Sequence, residues 1–184
     1  MRSVGLMPIL CITGLPGSGK STVSGILAEM GFRVIVMGDY VRREAEKMGI
    51  SSGEAATRLR LMYGSRIIAR LVLEDLRRLS NGRVAVEGLR SREEYEAFRE
   101  EYGEVKLIFT VASLGVRFRR LASRGRPDDP KSIMDLMARD YRELAFGLGD
   151  LIGLADYVIV NEGLSMEDLR SRVALIVREV YGEA

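Results

Sequence analysis

The sequence holds no histidine, no glutamine and no tryptophan, and it has one cysteine and two asparagines. Each absence excludes something. Without histidine, a general base near neutral pH must be a carboxylate or an unusual Lys, Tyr or Cys. Cys11 alone cannot build a disulfide framework within the chain. It sits in an apolar run, where a small buried core residue is expected rather than a catalytic or metal-binding thiol. A reducing, cytoplasmic setting is therefore the expected location. No apolar stretch is long enough to span a bilayer. The start, from Met1 to Met7, lacks a signal-peptide core, and Met7 is a second candidate for the first residue. A net charge of +2 gives no push towards nucleic acid or membrane. The scarcity of amides beside many charged residues points to a thermophilic source. Arginine supplies 24 of the 28 basic residues, an excess that codon bias and physics both explain.

Against these absences stands one dense motif. Residues 14–21 read G-L-P-G-S-G-K-S and fit G-x-x-x-x-G-K-[ST], the phosphate-binding P-loop. An apolar run at 9–13 precedes it. Val23, Ile26, Leu27 and Met30 follow it at helical spacing. Strand, glycine turn and helix form the arrangement that phosphate binding needs. Backbone N–H groups make an anion nest, and the helix N-terminus adds partial positive charge. Gly14, Leu15, Pro16, Gly17, Ser18, Gly19, Lys20, Ser21 and Thr22 are the candidate nucleotide-binding residues. Lys20 reaches the β- and γ-phosphates, and the Ser21 hydroxyl ligates Mg²⁺.

Apolar runs at 9–13, 33–37, 84–87, 106–111 and 157–160 read as five strands, separated by helical patterns. Continuous apolar strands are those of a parallel sheet covered on both faces. The expectation is a single three-layer α/β P-loop domain with a five-stranded parallel sheet. Its core covers 8–38, 81–124 and 132–184, with a helical insertion at 39–80 and a short polar loop at 125–131. Leu59, Met62, Ile67, Ile68, Leu71, Val72 and Leu76 mark a buried stripe on a long helix in that insertion, with breaks expected near 49–53 and at Gly64.

Ligands of α/β sheets bind at the carboxyl ends of strands. Asp39 and Arg42 follow the second strand, and Glu87 and Arg90 the third. Asp39 reads either as a helix N-cap or as a site carboxylate. Glu87 ends an apolar strand, where a carboxylate holds Mg²⁺ through water or positions a nucleophile. Arg117, Arg119, Arg120, Arg124 and Arg126 precede the polar loop, and Arg139 and Arg142 follow it. A charge run is usually a solvated face, yet Arg120 and Arg124 share a helix face beside the loop. Guanidinium forks neutralise the charge that phosphoryl transfer builds. Asn161 follows the last strand, near the expected nucleotide base, and the segment is not the N-K-x-D guanine signature.

The P-loop, G-D-Y-V-R, E-G-L-R and R-L-A-S-R-G-R-P-D-D, in that order, resemble the nucleoside monophosphate kinases, adenylate kinase above all. The chain is most similar to archaeal adenylate-kinase-related and dephospho-CoA-kinase-like proteins, from Ile9 to Val180. The resemblance implies that Arg42 and Arg90 hold the acceptor's phosphate, with Glu87 in place of the usual Asp. It implies that Arg120 stacks on adenine, Arg124 contacts phosphate, Arg126 belongs to a lid at 125–131, and Arg139 or Arg142 is the last catalytic arginine. The catalytic set expected is Lys20, Asp39, Glu87, Arg124, Arg126 and Arg139; Asp39, Arg42 and Arg90 bind acceptor, and Ser21 and Glu87 hold metal. The lid is short and lacks zinc-binding cysteines, and the acceptor segment does not name its acceptor.

The expected activity is an ATP- and Mg²⁺-dependent transfer of the γ-phosphate to a nucleoside monophosphate. Two alternatives stand beside it. One is a kinase with a hydroxyl acceptor, such as dephospho-CoA; the other is a nucleotide-gated NTPase or binding protein. The expected partner is a small-molecule acceptor, with no nucleic acid and no membrane.

Overall fold

The computed structural model describes residues 7–78 and 82–182. Met1, Ser80 and Asn81 lie outside the described residues. Five strands, Ile9–Thr13 (β1), Arg33–Val36 (β2), Val84–Leu89 (β3), Val105–Val111 (β4) and Tyr157–Val160 (β5), form one sheet in the order β2-β3-β1-β4-β5. Every neighbouring pair is parallel. The α/β class and the five strands are as the apolar runs predict. Three strand ends differ: β4 starts one residue earlier than expected, at Val105. β2 stops at Val36 because Met37 already opens a helix, and β3 runs through Gly88 to Leu89.

The helices are α1 (Lys20–Glu29), α2 (Met37–Met48), α3 (Ser52–Tyr63), α4 (Ile67–Leu76), α5 (Arg92–Tyr102), α6 (Leu114–Arg124), α7 (Ile133–Ala145) and α8 (Met166–Tyr181). A 3-10 helix, Leu148–Leu154, precedes β5. β1 is the centre of the sheet and is fully buried. Its side chains alternate between two apolar layers. Leu10 and Ile12 meet Val23, Ile26 and Leu27 of α1 and Leu169, Val173 and Ile176 of α8. Ile9 and Cys11 face the layer of Ile68, Val72, Phe98 and Leu151. Burying one such large aliphatic or aromatic side chain contributes about 1.5–3 kcal/mol. A strand apolar on both faces is thus fixed at the middle of the molecule, and its C-terminal end carries the P-loop.

The insertion breaks near 49–53 and at Gly64 as expected, so the stripe lies on two helices, α3 and α4, rather than on one long helix. Leu59, Ile68, Val72 and Leu76 are buried as the stripe predicts. Met62 is not: it is 65% exposed, because α3 ends one residue later and its last turn leaves the layer. α7 starts with a reciprocal cap: Ser132 Oγ accepts from Asp135 N at 3.1 Å, and Asp135 Oδ2 accepts from Ser132 N at 2.9 Å. No helix among the described residues is long and apolar enough to cross a membrane.

Candidate active site

The loop between β1 and α1 is held from three sides. Ser18 Oγ lies 2.6 Å from Thr110 Oγ1 of β4, and Thr110 Oγ1 donates to the Thr13 carbonyl at 3.1 Å. Asn161 Nδ2 donates to the Ser18 carbonyl at 3.0 Å. Arg117 donates from Nη1 to the Pro16 carbonyl at 3.2 Å. Gly14, Gly17 and Gly19 all have positive φ, which only glycine adopts at little cost. Gly19 caps α1 with no side-chain hydrogen bond, and the first turn holds no acid. The first amides of α1 are therefore open to an anion. Lys20 Nζ turns back to the Gly14 and Leu15 carbonyls, at 2.7 and 3.0 Å. Burial, joined by Arg90, brings its pKa down to about 7, against opposing pulls from Glu87 and Glu143.

β3 aims the next two groups. The register against β1 shifts between Ile12 and Thr13, at a bulge formed by Gly88 with φ +105°. Thr13 Oγ1 donates to the Leu89 carbonyl at 2.7 Å and closes the bulge. Glu87 and Arg90 thereby reach the space in front of the P-loop. Ser24 Oγ donates to Glu87 Oε2 at 2.6 Å. Ser21 and Glu87 line the same cavity. They offer a hydroxyl and a carboxylate, the hard oxygen donors that suit Mg²⁺. The donor set fits that ion.

Asp39 is not an N-cap. α2 begins at Met37 with Val36 as its cap, so Asp39 lies in the first turn and pairs with Arg42 one turn on. Both side chains look onto the P-loop cavity.

Two cavities meet here. One, of about 580 Å³, is lined by the P-loop, Lys20, Ser21, Thr22, Asp39, Glu87, Arg120, Arg124 and Arg126. The other, of about 280 Å³, lies between α2, α3 and α7. Gly38, Arg42, Gly88, Arg90, Asp128 and Arg139 line both. The sites read from separate motifs along the chain thus converge on one crevice.

The arginines divide by their partners. Arg117, part of the basic run, is 4% exposed and grips Asp140 of α7 with two hydrogen bonds, at 2.9 and 2.7 Å. It holds the P-loop from behind and is not a solvated charge. Arg120 donates to the Asn161 carbonyl at 2.8 Å, which holds its guanidinium at the wall of the larger cavity. Arg124 pairs with Asp129 across the turn at 125–131, and the Arg126 amide donates to the same carboxylate at 2.8 Å. Arg139 donates to the Asp128 carbonyl at 3.0 Å. Between the two candidates for the last arginine, Arg139 faces both cavities, and Arg142 faces only the smaller.

Sequence reasoning missed the buried acids that pair with arginines of the smaller cavity. Glu94 is fully buried, accepts from Arg60 Nη2 at 2.6 Å and from the Arg90 amide at 2.7 Å. Burial raises its pKa, and Arg60 opposes that rise. Glu143 forms an ion pair with Arg90. Burial pushes its carboxyl up, but Arg90, Lys20, Arg139 and Arg142 outweigh burial and hold it below the ordinary value.

A protein family described as AAA domain matches residues 10–141. A UPF0200 protein of Pyrobaculum aerophilum is 43% identical over 176 residues, covering 95% of this chain and 99% of that one. The chain belongs to the UPF0200 family. Among solved structures, a gluconokinase from Sinorhizobium meliloti aligns with this UPF0200 chain at a TM-score of 0.64 and 19% identity, over 95% of this chain and 94% of the other. A shikimate kinase from Bacteroides thetaiotaomicron aligns at 0.64 and 20%, over 96% and 99%. The shared feature is the P-loop kinase fold.

Proposed function

We propose that this UPF0200 chain is a phosphotransferase that moves the γ-phosphate of ATP to a small anionic acceptor, of the nucleoside monophosphate class. The observation that carries the reading is the junction of the two cavities. Arg42, Arg90 and Arg139 line both, so one set of guanidinium groups faces a donor phosphate and an acceptor anion together. Hydrolysis of a bound triphosphate needs no second basic cavity.

In this reading the P-loop amides and Lys20 hold the triphosphate, and Arg120 covers the nucleotide beside Asn161. Ser21 would hold Mg²⁺ directly, with Glu87 in its water shell. Bound there, the ion neutralises phosphate oxygens and orients them. Arg42 and Arg90 receive the acceptor. Arg124 at the end of α6, Arg126 within 125–131 and Arg139 of α7 close over the triphosphate, with 125–131 acting as the lid; its inward movement excludes water that would intercept the phosphate. The acceptor oxygen of a monophosphate is already an anion, so no base is required.

The test is ADP release at elevated temperature against a panel of nucleoside monophosphates and dephospho-CoA. Acceptor-dependent release with at least one monophosphate is expected. Equal release with and without every acceptor would replace the reading with that of a nucleotide-gated NTPase.

A hydroxyl acceptor is the second reading. Asp39 favours it, since its carboxylate lines the donor cavity beside Arg42, and the gluconokinase and shikimate kinase share the fold. With no histidine in the chain, Asp39 would take the hydroxyl proton. Asp39→Asn should then reduce turnover of a hydroxyl acceptor by about 10²–10⁴-fold. A loss under about tenfold, reversed by raising Mg²⁺, would leave Asp39 in the metal's water shell instead.

A further inference from the structure

The smaller cavity holds five guanidinium groups, and four have a carboxylate within salt-bridge distance. Arg42 pairs with Asp39, Arg60 with Glu94, Arg90 with Glu143 and Arg139 with Asp128. For Arg142 there is no salt bridge and no side-chain hydrogen bond among the described residues. Glu143 acts on it only at longer range. A half-buried guanidinium without a counterion is held at a cost that an incoming anion removes.

Its position is set by one glycine. Arg142 crosses from α7 to the first turn of α3 and lies against Gly53. A Cβ on Gly53 would come within 2.9 Å of Arg142 Cζ and 3.1 Å of both terminal nitrogens. Only the end of a flexible side chain would be struck, so the guanidinium would move and the helix backbone would not. Gly53 is not at a position of positive φ, so the backbone gives no reason for glycine there. The space taken by Arg142 does.

We propose that Gly53 is a positioning residue of the acceptor site: by lacking a side chain it seats Arg142 on the cavity wall, where that guanidinium receives the acceptor's phosphate. This rests on the two-cavity reading above. Arg42, Arg90 and Arg139 then face the phosphate from the junction, and Arg142 from the outer side of the smaller cavity. Any residue larger than glycine at 53 turns Arg142 away and weakens acceptor capture, leaving the donor cavity intact.

The test uses inorganic phosphate as the probe. The protein is saturated with a non-hydrolysable ATP analogue and Mg²⁺, then titrated with phosphate by calorimetry. Arg142→Ala should weaken phosphate binding by roughly tenfold, the size of one charge-assisted hydrogen bond. Gly53→Ala should weaken it by a similar factor, with unchanged binding of the ATP analogue and a Tm equal to or above that of the parent. The double variant Gly53→Ala/Arg142→Ala should match Arg142→Ala alone. Wild-type phosphate binding in Gly53→Ala would overturn the proposal, as would a further tenfold loss in the double variant. If no nucleoside monophosphate accepts phosphate but this pattern holds, the acceptor class fails and the role of Gly53 stands.

Discussion

Arg117→Ala should cost the fold about 3–5 kcal/mol, the loss expected when one partner of a buried ion pair is removed and the other is left uncompensated. Asp140 would be that stranded charge, 8% exposed and without its two hydrogen bonds. The loss would not stay in the pair. Arg117 also donates to the Ala112 and Pro16 carbonyls, both at 3.2 Å. It therefore ties the end of β4, the P-loop and α7 together. Removing it frees the loop on which the triphosphate sits, so nucleotide affinity should fall along with stability. Chemical denaturation reads the first effect and nucleotide titration the second. Replacing both partners with apolar residues of similar size, Arg117→Met with Asp140→Leu, should recover much of the stability, because no buried charge remains. It should not recover nucleotide affinity, because the Pro16 carbonyl still lacks its donor. A loss below about 1 kcal/mol in Arg117→Ala would show that the pair contributes no more than a surface ion pair does.

Arg117 also marks where the sequence stopped being legible. The P-loop and the five strands could be read because each is local: a spacing, an apolar run, a carboxylate after it. The ends of β2 and β3 could not, because a helix opening at Met37 and a bulge at Gly88 set them. The convergence of Asp39, Arg42, Glu87 and Arg90 followed from the rule that sites gather at strand ends; Arg139, inside α7, came only from the family resemblance. Counterions are not local. Asp140 lies 23 residues after Arg117, and Glu94 lies 34 after Arg60. Nothing in a list of arginines separates one that holds a loop from one that faces a phosphate. Only burial and partner decide it, and both come from tertiary packing. Met62 failed for the opposite reason. Its spacing was that of a buried stripe, but a single break at Gly64 put it on the last turn of α3. Gly53 read only as part of a helix break at 49–53; its contact with Arg142, 89 residues on, left no local signal.

The absence of histidine gives the second large effect a clean readout. Lys20 in the ligand-free site has its pKa brought to about 7 by burial and by Arg90. A nucleotide phosphate needs the ammonium form, and its negative charge raises that pKa once bound. The sign follows. Below pH 7 the free protein already holds the proton, and affinity is flat with respect to Lys20. Above pH 7 binding must first recruit a proton, and the dissociation constant should rise by about tenfold per pH unit until the pKa of the complex is reached. ADP binding measured in a chelator, from pH 7 to 9, isolates this from the metal. No histidine side chain titrates across that range in this chain. Lys20→Met should weaken ADP binding at pH 7, flatten the profile and lower turnover by about 10³-fold, the scale of removing one preorganised charge from a transfer site. A profile as steep in Lys20→Met as in the parent would assign the proton to another group. Because Glu87 and Glu143 oppose the fall in this pKa, the P-loop lysine is tuned by the ends of β3 and α7. The charge in the larger cavity therefore depends in part on Arg90 and Glu143, which also line the smaller one.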